Sequence, residues 1–316
     1  MSSHSLNPVA PAFVSRPREQ LVLIARETLA AVKAGSYTDQ HDGTYPFPNL
    51  SDIPDSTTYF PADALDDWET TIPPARSTPT ECVIHLASTL QAIRLYTSAS
   101  SEQPLGVLNF ASATSPGGGF LGGARAQEET LARSSNLYSS LTSSPAHPFY
   151  ASHHRQHASP DPRYSHAMLL TRNVHFARDD AGAWLAPVTA DVLTSAAVNA
   201  NTLHRWLNVP SSAPLPDEAR IEVEGIMRAR MARILSAFAR NLDGKSTIIL
   251  GSFGTGAFRN NVDFVARTWA ELLQGPFKDV FARVVFAVID DGSWKMFKEM
   301  FTQVGVAFRE KREEAL

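Results

Sequence analysis

Between Gly117 and Gly123 the chain has glycine at five of seven positions. Such a run cannot be a regular element. Glycine loses more conformational freedom on ordering than any other residue and has no Cβ to pack. The run is therefore a loop, and its flanks differ in character. Upstream, Leu105 to Phe110 (LGVLNF) is a short apolar stretch of the strand type. Downstream, Ala126 to Leu141 has the spacing of a helix, with Gln127, Glu128 and Glu129 near its first turns. A backbone without Cβ atoms can approach a ligand closely, and a glycine loop feeding a helix N-terminus suits an anion such as phosphate.

A second unit has the same plan. In IILGSFGTGAFRNN, from Ile248 to Asn261, a strand ends at Leu250 and a loop carries Gly251, Gly254 and Gly256 before a helix that starts at Val262. It is not a dinucleotide fingerprint, because Arg259 stands at the third glycine position. Gly244-Lys245-Ser246 has the tail of a Walker loop, but Ala239 replaces the first glycine and a strand follows, so Lys245 is assigned to a turn. Phe253 and Phe258 flank the second loop and suggest a stacking surface. Glycine loops at the C-terminal ends of strands in one open sheet can converge on one crevice. One would hold a diphosphate while the other presents acids to a sugar. Neighbours on a helix point about 100° apart, so Glu128 and Glu129 can do different jobs. First-turn acids are also favoured by the helix dipole alone. The adjoining glycine loop favours the functional reading.

Elsewhere, Arg18 to Ala34 is expected as an amphipathic helix stopped by Gly35, with Leu21, Ile24, Ala25 and Leu29 on one face. Thr38 to Thr80, rich in Asp, Thr and Pro, is expected to be an extended wrapping segment. Strands are expected at 82–87, 168–176, 191–198, 246–250 and 280–289. Helices are expected at 88–95, 218–241, 262–273 and 294–301, and loop over 143–165. Alternating strands and helices predict an α/β fold, a three-layer α/β/α sandwich on a mixed central sheet. The expected organisation is an N-terminal extension over 1–80, a core over 81–305 and a tail over 306–316.

The chain has 316 residues, ample for a buried core, with 43% hydrophobic and 19% charged residues. Its formal charge of -4 argues against a broad basic face for nucleic acid. No apolar run reaches membrane-spanning length. The N-terminus lacks a basic region followed by an apolar one, so an intracellular location, cytoplasmic or nuclear, is expected. A single cysteine, Cys82, excludes a disulfide framework, and its apolar strand places it in the core. His153 and His157 have i,i+4 spacing, with His147, His154 and His166 nearby. No His-Glu-x-x-His accompanies them and Pro148, Pro160 and Pro162 argue for loop, so no metal site is expected. Ser252 lies in Gly-Ser-Phe-Gly, which is not a nucleophile elbow. The Arg-rich stretch from Arg220 to Arg240 fits a surface helix with an Ile/Met/Leu stripe inward better than a polyanion guide.

At its glycine and acidic residues the sequence resembles the microbial-type poly(ADP-ribose) glycohydrolases, which have a macrodomain fold. The family signature of three glycines, a spacer and Gln-Glu-Glu is matched by Gly117-Gly118-Gly119, Phe120 to Ala126, and Gln127-Glu128-Glu129. NFASATSPGGGFLGGARAQEETLARSSNLY, RETLAAVKAGSY, VHFARDDAG, LGSFGTGAFRNN and VVFAVID extend the likeness over about residues 18 to 290. The resemblance implies that Glu129 is the catalytic acid/base and Glu128 holds the terminal ribose hydroxyls. It places Gly117, Gly118 and Gly119 along the distal ribose and diphosphate, with Gln127 and Phe120 also among the substrate-binding residues. Gly254, Thr255, Gly256, Ala257 and Phe258 would form the diphosphate loop, with Phe258 near the reacting ribose. Asn109 and Asn199 would contact ribose or adenosine. Thr255 stands where cysteine is common in the family, a change expected to alter loop packing and spare the chemistry.

The implied activity is hydrolysis of ribose–ribose bonds in poly(ADP-ribose), with ADP-ribose as product, by a monomer without metal or cofactor. Cleavage passes through an oxocarbenium-like state, so the leaving oxygen needs a proton. Glu129, kept protonated by burial and ligand charge, would donate it and then activate water. An ADP-ribose reader without turnover and a mono-ADP-ribosyl hydrolase are the alternatives. A reader needs the loops and not the acids.

Overall fold

The computed structural model describes residues 16–97, 105–154, 161–210, 213–242 and 246–312. The chain begins with helix α1 (Arg18–Ala34) and the hairpin β1 (Ser36–Thr38) and β2 (Thr44–Pro46), then β3 (Thr57–Phe60). Next come β4 (Glu81–Leu86), α2 (Thr89–Tyr96), β5 (Leu105–Phe110), α3 (Gln127–Ser134), α4 (Leu137–Leu141) and α5 (His147–His154). Two long strands follow, β6 (Met168–Arg178) and β7 (Trp184–Ser195), then α6 (Ala200–Trp206) and α7 (Asp217–Asn241). The last elements are β8 (Thr247–Gly251), α8 (Val262–Gln274), β9 (Arg283–Val288), α9 (Asp291–Val304) and β10 (Phe308–Arg312).

One eight-stranded sheet runs in the order β10-β4-β9-β8-β5-β7-β6-β3. The strands from β10 to β7 are parallel; β6 and β3 join antiparallel at one edge. Adjacent residues on a strand face opposite sides, and the core divides accordingly. Leu108, Ile248, Leu250, Val284 and Phe286 pack under α7, α8 and α9 with Met231, Trp269 and Phe297. Val107, Ile249 and Val285 pack on the other face with Ile93, Leu131, Leu137 and Phe149 from α2, α3, α4 and α5. The three-layer sandwich on a mixed sheet is thus present.

Helix α1 ends as its sequence requires. Gly35 caps it at φ 77° and returns its N–H to Val32 O. Its buried stripe is Leu21, Ala25, Thr28 and Val32, so Ile24 and Leu29 are only half-buried. The stripe lies against the 120–122 turn and α3, with Ala25 packed on Phe120 and Ala132.

Several expectations are corrected. Residues 126–141 form two helices. Ser135 breaks them: its Oγ bonds Leu131 O and accepts Leu137 N–H, and its backbone bridges Phe176. The 143–165 stretch contains helix α5, in whose first turn Pro148 sits, where the missing N–H leaves no bond unmade. The expected 306–316 tail includes β10, which pairs in parallel with β4. The 1–80 extension likewise supplies β3 to the main sheet. The arginines of α7 mostly serve packing: Arg233 pairs with Asp66 and Arg240 with Asp67, pinning the wrapping segment. Lys245 and His157 lie outside the described residues.

Candidate functional site

A cleft of about 400 Å³ opens along the C-terminal ends of the parallel strands. Its walls include Ser88 and Thr89 after β4, Phe110 to Ser112 after β5, Ala197 after β7, Ser252 to Phe258 after β8, and Ile289 and Asp290 after β9. Strands β5 and β8 are neighbours, so the two glycine loops leave the sheet side by side. Sheet order therefore does what spacing alone could only suggest.

Glu128 and Glu129, in the first turn of α3, both line this cleft. Glu128 is 2% exposed; its Oε2 accepts Ser112 N–H at 2.6 Å, and its Oε1 lies 3.4 Å from Asn109 Nδ2. Burial pushes its carboxyl up to about 8, and the charge of Glu129 adds to that, against the opposing Ser112 and Asn109 bonds. The helix dipole favours anionic first-turn acids, but here desolvation is larger. Tyr150 packs nearby with its hydroxyl buried and unpartnered, and burial raises its pKa. Glu129 Oε1 accepts Gly119 N–H at 2.9 Å.

The triple glycine forms the cover of the acid pair. Gly118 has φ 58°, and a Cβ there would collide with Glu129 Oε1. Gly117 and Gly119 belong to the same turn, and none of the three is among the residues of the open cleft wall. Phe120 is fully buried on Tyr138, with ring centroids 4.7 Å apart. It anchors the loop to α1 and does not reach the cleft. Gln127 touches the cleft, but its polar atoms are occupied: Oε1 accepts Phe110 N–H at 2.9 Å and Nε2 donates to Leu108 O at 2.8 Å. It splices α3 to the end of β5, a positioning role in place of the expected ligand contact.

The two asparagines also fall elsewhere. Asn109 is wholly buried and bridges Glu128 to Thr194 Oγ1, which is 3.2 Å away. It stands behind the acid pair and outside the cleft lining. Asn199 caps α6, its Oδ1 accepting Thr202 N–H at 2.9 Å, and is likewise outside the lining. A cap and a ligand contact call for the same side chain, so sequence could not separate them.

The second loop lies in the cleft wall. Gly254, Thr255, Gly256, Ala257 and Phe258 all line the cleft. Gly254 has φ 74°, and a Cβ there would strike Ala197. Asn260 Nδ2 secures the turn by donating to Val198 O at 2.8 Å and Gly254 O at 2.9 Å. Thr255 Oγ1 donates to Ser252 O at 3.0 Å, so the hydroxyl tightens the turn. Phe258 is half-buried and offers a face; Phe253 also lines the cleft but is fully buried, with its ring against Phe110.

Sequence reasoning missed Ser88, Asp180, Asp290 and Ser293 at the other end of the cleft. Ser88 Oγ donates to Asp180 Oδ2 at 2.6 Å while also capping α2. Only the capping box Ser88-x-x-Gln91 was readable locally. Of the features set aside, Ser252 lines the cleft, whereas His153 and Cys82 do not. His153 is buried, with Nε2 at 2.9 Å from Ser165 Oγ, and no metal-holding group of three His, Cys, Asp or Glu occurs among the described residues. Cys82 is buried, and burial pushes its thiol up to about 12. Among the described residues no helix is long and apolar enough to cross a membrane.

Fold and site together define a macrodomain-like α/β protein with a buried acid pair set between two glycine loops. Residues 25–179 match the family model described as the microbial-type PARG catalytic domain. The poly(ADP-ribose) glycohydrolase of Thermomonospora curvata is 35% identical with a TM-score of 0.79, over 90% of this chain and 100% of that one. Its structure bound to the inhibitor ADP-HPD is 34% identical over the same shares, with a TM-score of 0.76. The Deinococcus radiodurans glycohydrolase in complex with ADP-ribose is 32% identical with a TM-score of 0.70, over 82% of this chain and 99% of that one. No match was found among the curated proteins. The chain belongs to the microbial-type poly(ADP-ribose) glycohydrolase family.

Proposed function

We propose that this protein hydrolyses the ribose–ribose glycosidic bonds of poly(ADP-ribose) and releases ADP-ribose, with Glu129 as acid/base. The observation that carries this reading is that Glu128 and Glu129 share one cleft with the 254–258 loop. A binding module needs the loop; it does not need two carboxyls at the sugar. The likeness to relatives described in complex with ADP-ribose and with ADP-HPD supports the same ligand class.

The backbone N–H groups of the 254–258 loop bind the diphosphate, and Phe258 packs beside the ribose to be cleaved. Glu128, held by Ser112 N–H and Asn109, aligns the ribose hydroxyls. Glu129 gives its proton to the leaving oxygen as the C1–O bond breaks, and the ribose takes on oxocarbenium character. The Glu129 carboxylate then removes a proton from water, the water oxygen bonds to C1, and Glu129 is protonated again. Gly119 N–H keeps the carboxylate oriented through both steps. Radiolabelled poly(ADP-ribose) incubated with the protein and resolved by size tests the reading. Accumulation of ADP-ribose is the expected result; bound but uncut polymer would make the chain a reader.

A further inference from the structure

Arg125 is the one basic residue among the described residues lining the cleft, and it lies four positions ahead of Glu129. The other charged lining residues are Glu128, Glu129, Asp180 and Asp290. Arg125 is exposed, and its Nη2 donates to Arg16 O at 2.5 Å. Arg18, also exposed, donates through Nε to Gly122 O. Arg16, Arg18 and Arg125 thus meet at one junction, where the N-terminus of α1 is tied to the loop leading into α3 by the Arg125 and Arg18 side chains. Most arginines elsewhere on the surface are neutralised, as in Arg163–Glu222, Arg228–Glu271 and Arg283–Glu81. Arg16 and Arg18 take neutral partners, Gln20 and the Gly122 carbonyl, and neither makes an ion pair among the described residues.

We propose that Arg16, Arg18 and Arg125 form a subsite for the diphosphate of the ADP-ribose unit on the leaving side of the scissile bond. The inference rests on the reading of Glu129 as proton donor, because the oxygen that receives the proton belongs to that unit. The departing ribose is joined through its 5′ carbon to a diphosphate of its own, so a polyanion emerges beside Glu129. The bound unit is held inside the cleft by loop amides. The departing unit lies outside them, where solvated cations are the available partners. A chain with a formal charge of -4 gains most from a local cluster, because its overall field does not attract the polymer.

The test uses the whole protein with two neutral-for-charged and two charge-keeping changes: Arg16→Gln with Arg18→Gln, and Arg16→Lys with Arg18→Lys. Glutamine at 18 can still donate to Gly122 O, which protects the fold. Initial rates on size-fractionated poly(ADP-ribose) are read at low and high salt, and free ADP-ribose affinity is read by calorimetry. The glutamine pair should lose about tenfold in kcat/KM on polymer at low salt, and the gap should close at high salt as counterion release stops contributing. ADP-ribose affinity should stay within about twofold, and the lysine pair should behave like wild type. Equal rates for wild type and the glutamine pair on polymer would overturn the subsite. So would a parallel loss of ADP-ribose affinity, which would assign the arginines to the bound unit, or a lysine pair as defective as the glutamine pair, which would make them structural. Failure of the wild-type protein to cut polymer would instead remove the underlying reading.

Discussion

Gly119 N–H and Glu129 Oε1 meet at 2.9 Å, so the glycine loop that covers the acid pair also orients the carboxyl beneath it. Backbone and acid are one unit here. The Oε1 that accepts this bond would be kept by an amide. Glu129→Gln should therefore preserve the loop and bind ADP-ribose with near wild-type affinity, while turnover falls by roughly 10²–10⁴-fold from loss of acid/base catalysis. Product assay and calorimetry on the folded variant check both halves. Near wild-type turnover would remove Glu129 from the chemistry.

The close approach at Gly118 leads to a second expectation. Gly118→Ala faces a positive φ and a collision with Glu129 Oε1. Gly35→Ala is the matched control, because φ is 77° there and nothing lies within 4 Å of an added Cβ. Both should lose about 1–2 kcal/mol of stability from the backbone. Only Gly118→Ala should also lose activity out of proportion to its fall in Tm. Equal activity in the two variants would mean that the loop is not coupled to the acid.

Glu128 makes stability depend on pH. Its carboxyl is raised from 4.5 to about 8, so the folded chain binds the extra proton in that window. This contribution to stability is complete below pH 4.5 and is lost as pH rises through 8. A tenfold difference in proton affinity between the folded and the unfolded chain is worth about 1.4 kcal/mol. Glu128→Gln carries no such proton, so its Tm relative to wild type should climb between pH 5 and 9. Parallel Tm curves across that range would contradict the buried neutral carboxyl. Its turnover should fall severely at every pH, through lost hydroxyl alignment.

Thr28 ties the first helix to the back of the site. Its buried Oγ1 donates to Arg133 O at 2.7 Å and accepts Arg178 Nε at 2.9 Å. Arg178 itself lies flat on Trp184, 3.5 Å from the ring centroid. Thr28→Val leaves a buried guanidinium N–H and a carbonyl unpaired and should cost about 1–3 kcal/mol. Thr28→Ser should restore most of it. Urea denaturation measures the difference, and indistinguishable midpoints for Thr28→Val and wild type would show that α1 is held by its apolar stripe alone.

The sequence by itself determined whatever depends on neighbours along the chain. Glycine density from Gly117 to Gly123 forces a loop, Gly35 stops α1, and the apolar run Thr247–Gly251 before Gly254 makes a strand and a turn. The acid pair and both loops were legible for the same reason, since each is a short, continuous pattern. Tertiary structure alone decided which residues face the ligand and which face protein. Phe120 turned inward against Tyr138, away from the cleft, while Phe253 and Phe258 both line it, the first fully buried and the second half-buried. Asn109 went behind Glu128 and Asn199 onto a helix end. Burial raised the pKa of Glu128, which is enclosed against Asn109 near the end of β5 and Ser112 just beyond it. Burial and charge environment are summed over residues distant in sequence, among them Asn109, Ser112, Thr194 and Tyr150, and only the folded sheet brings that set together.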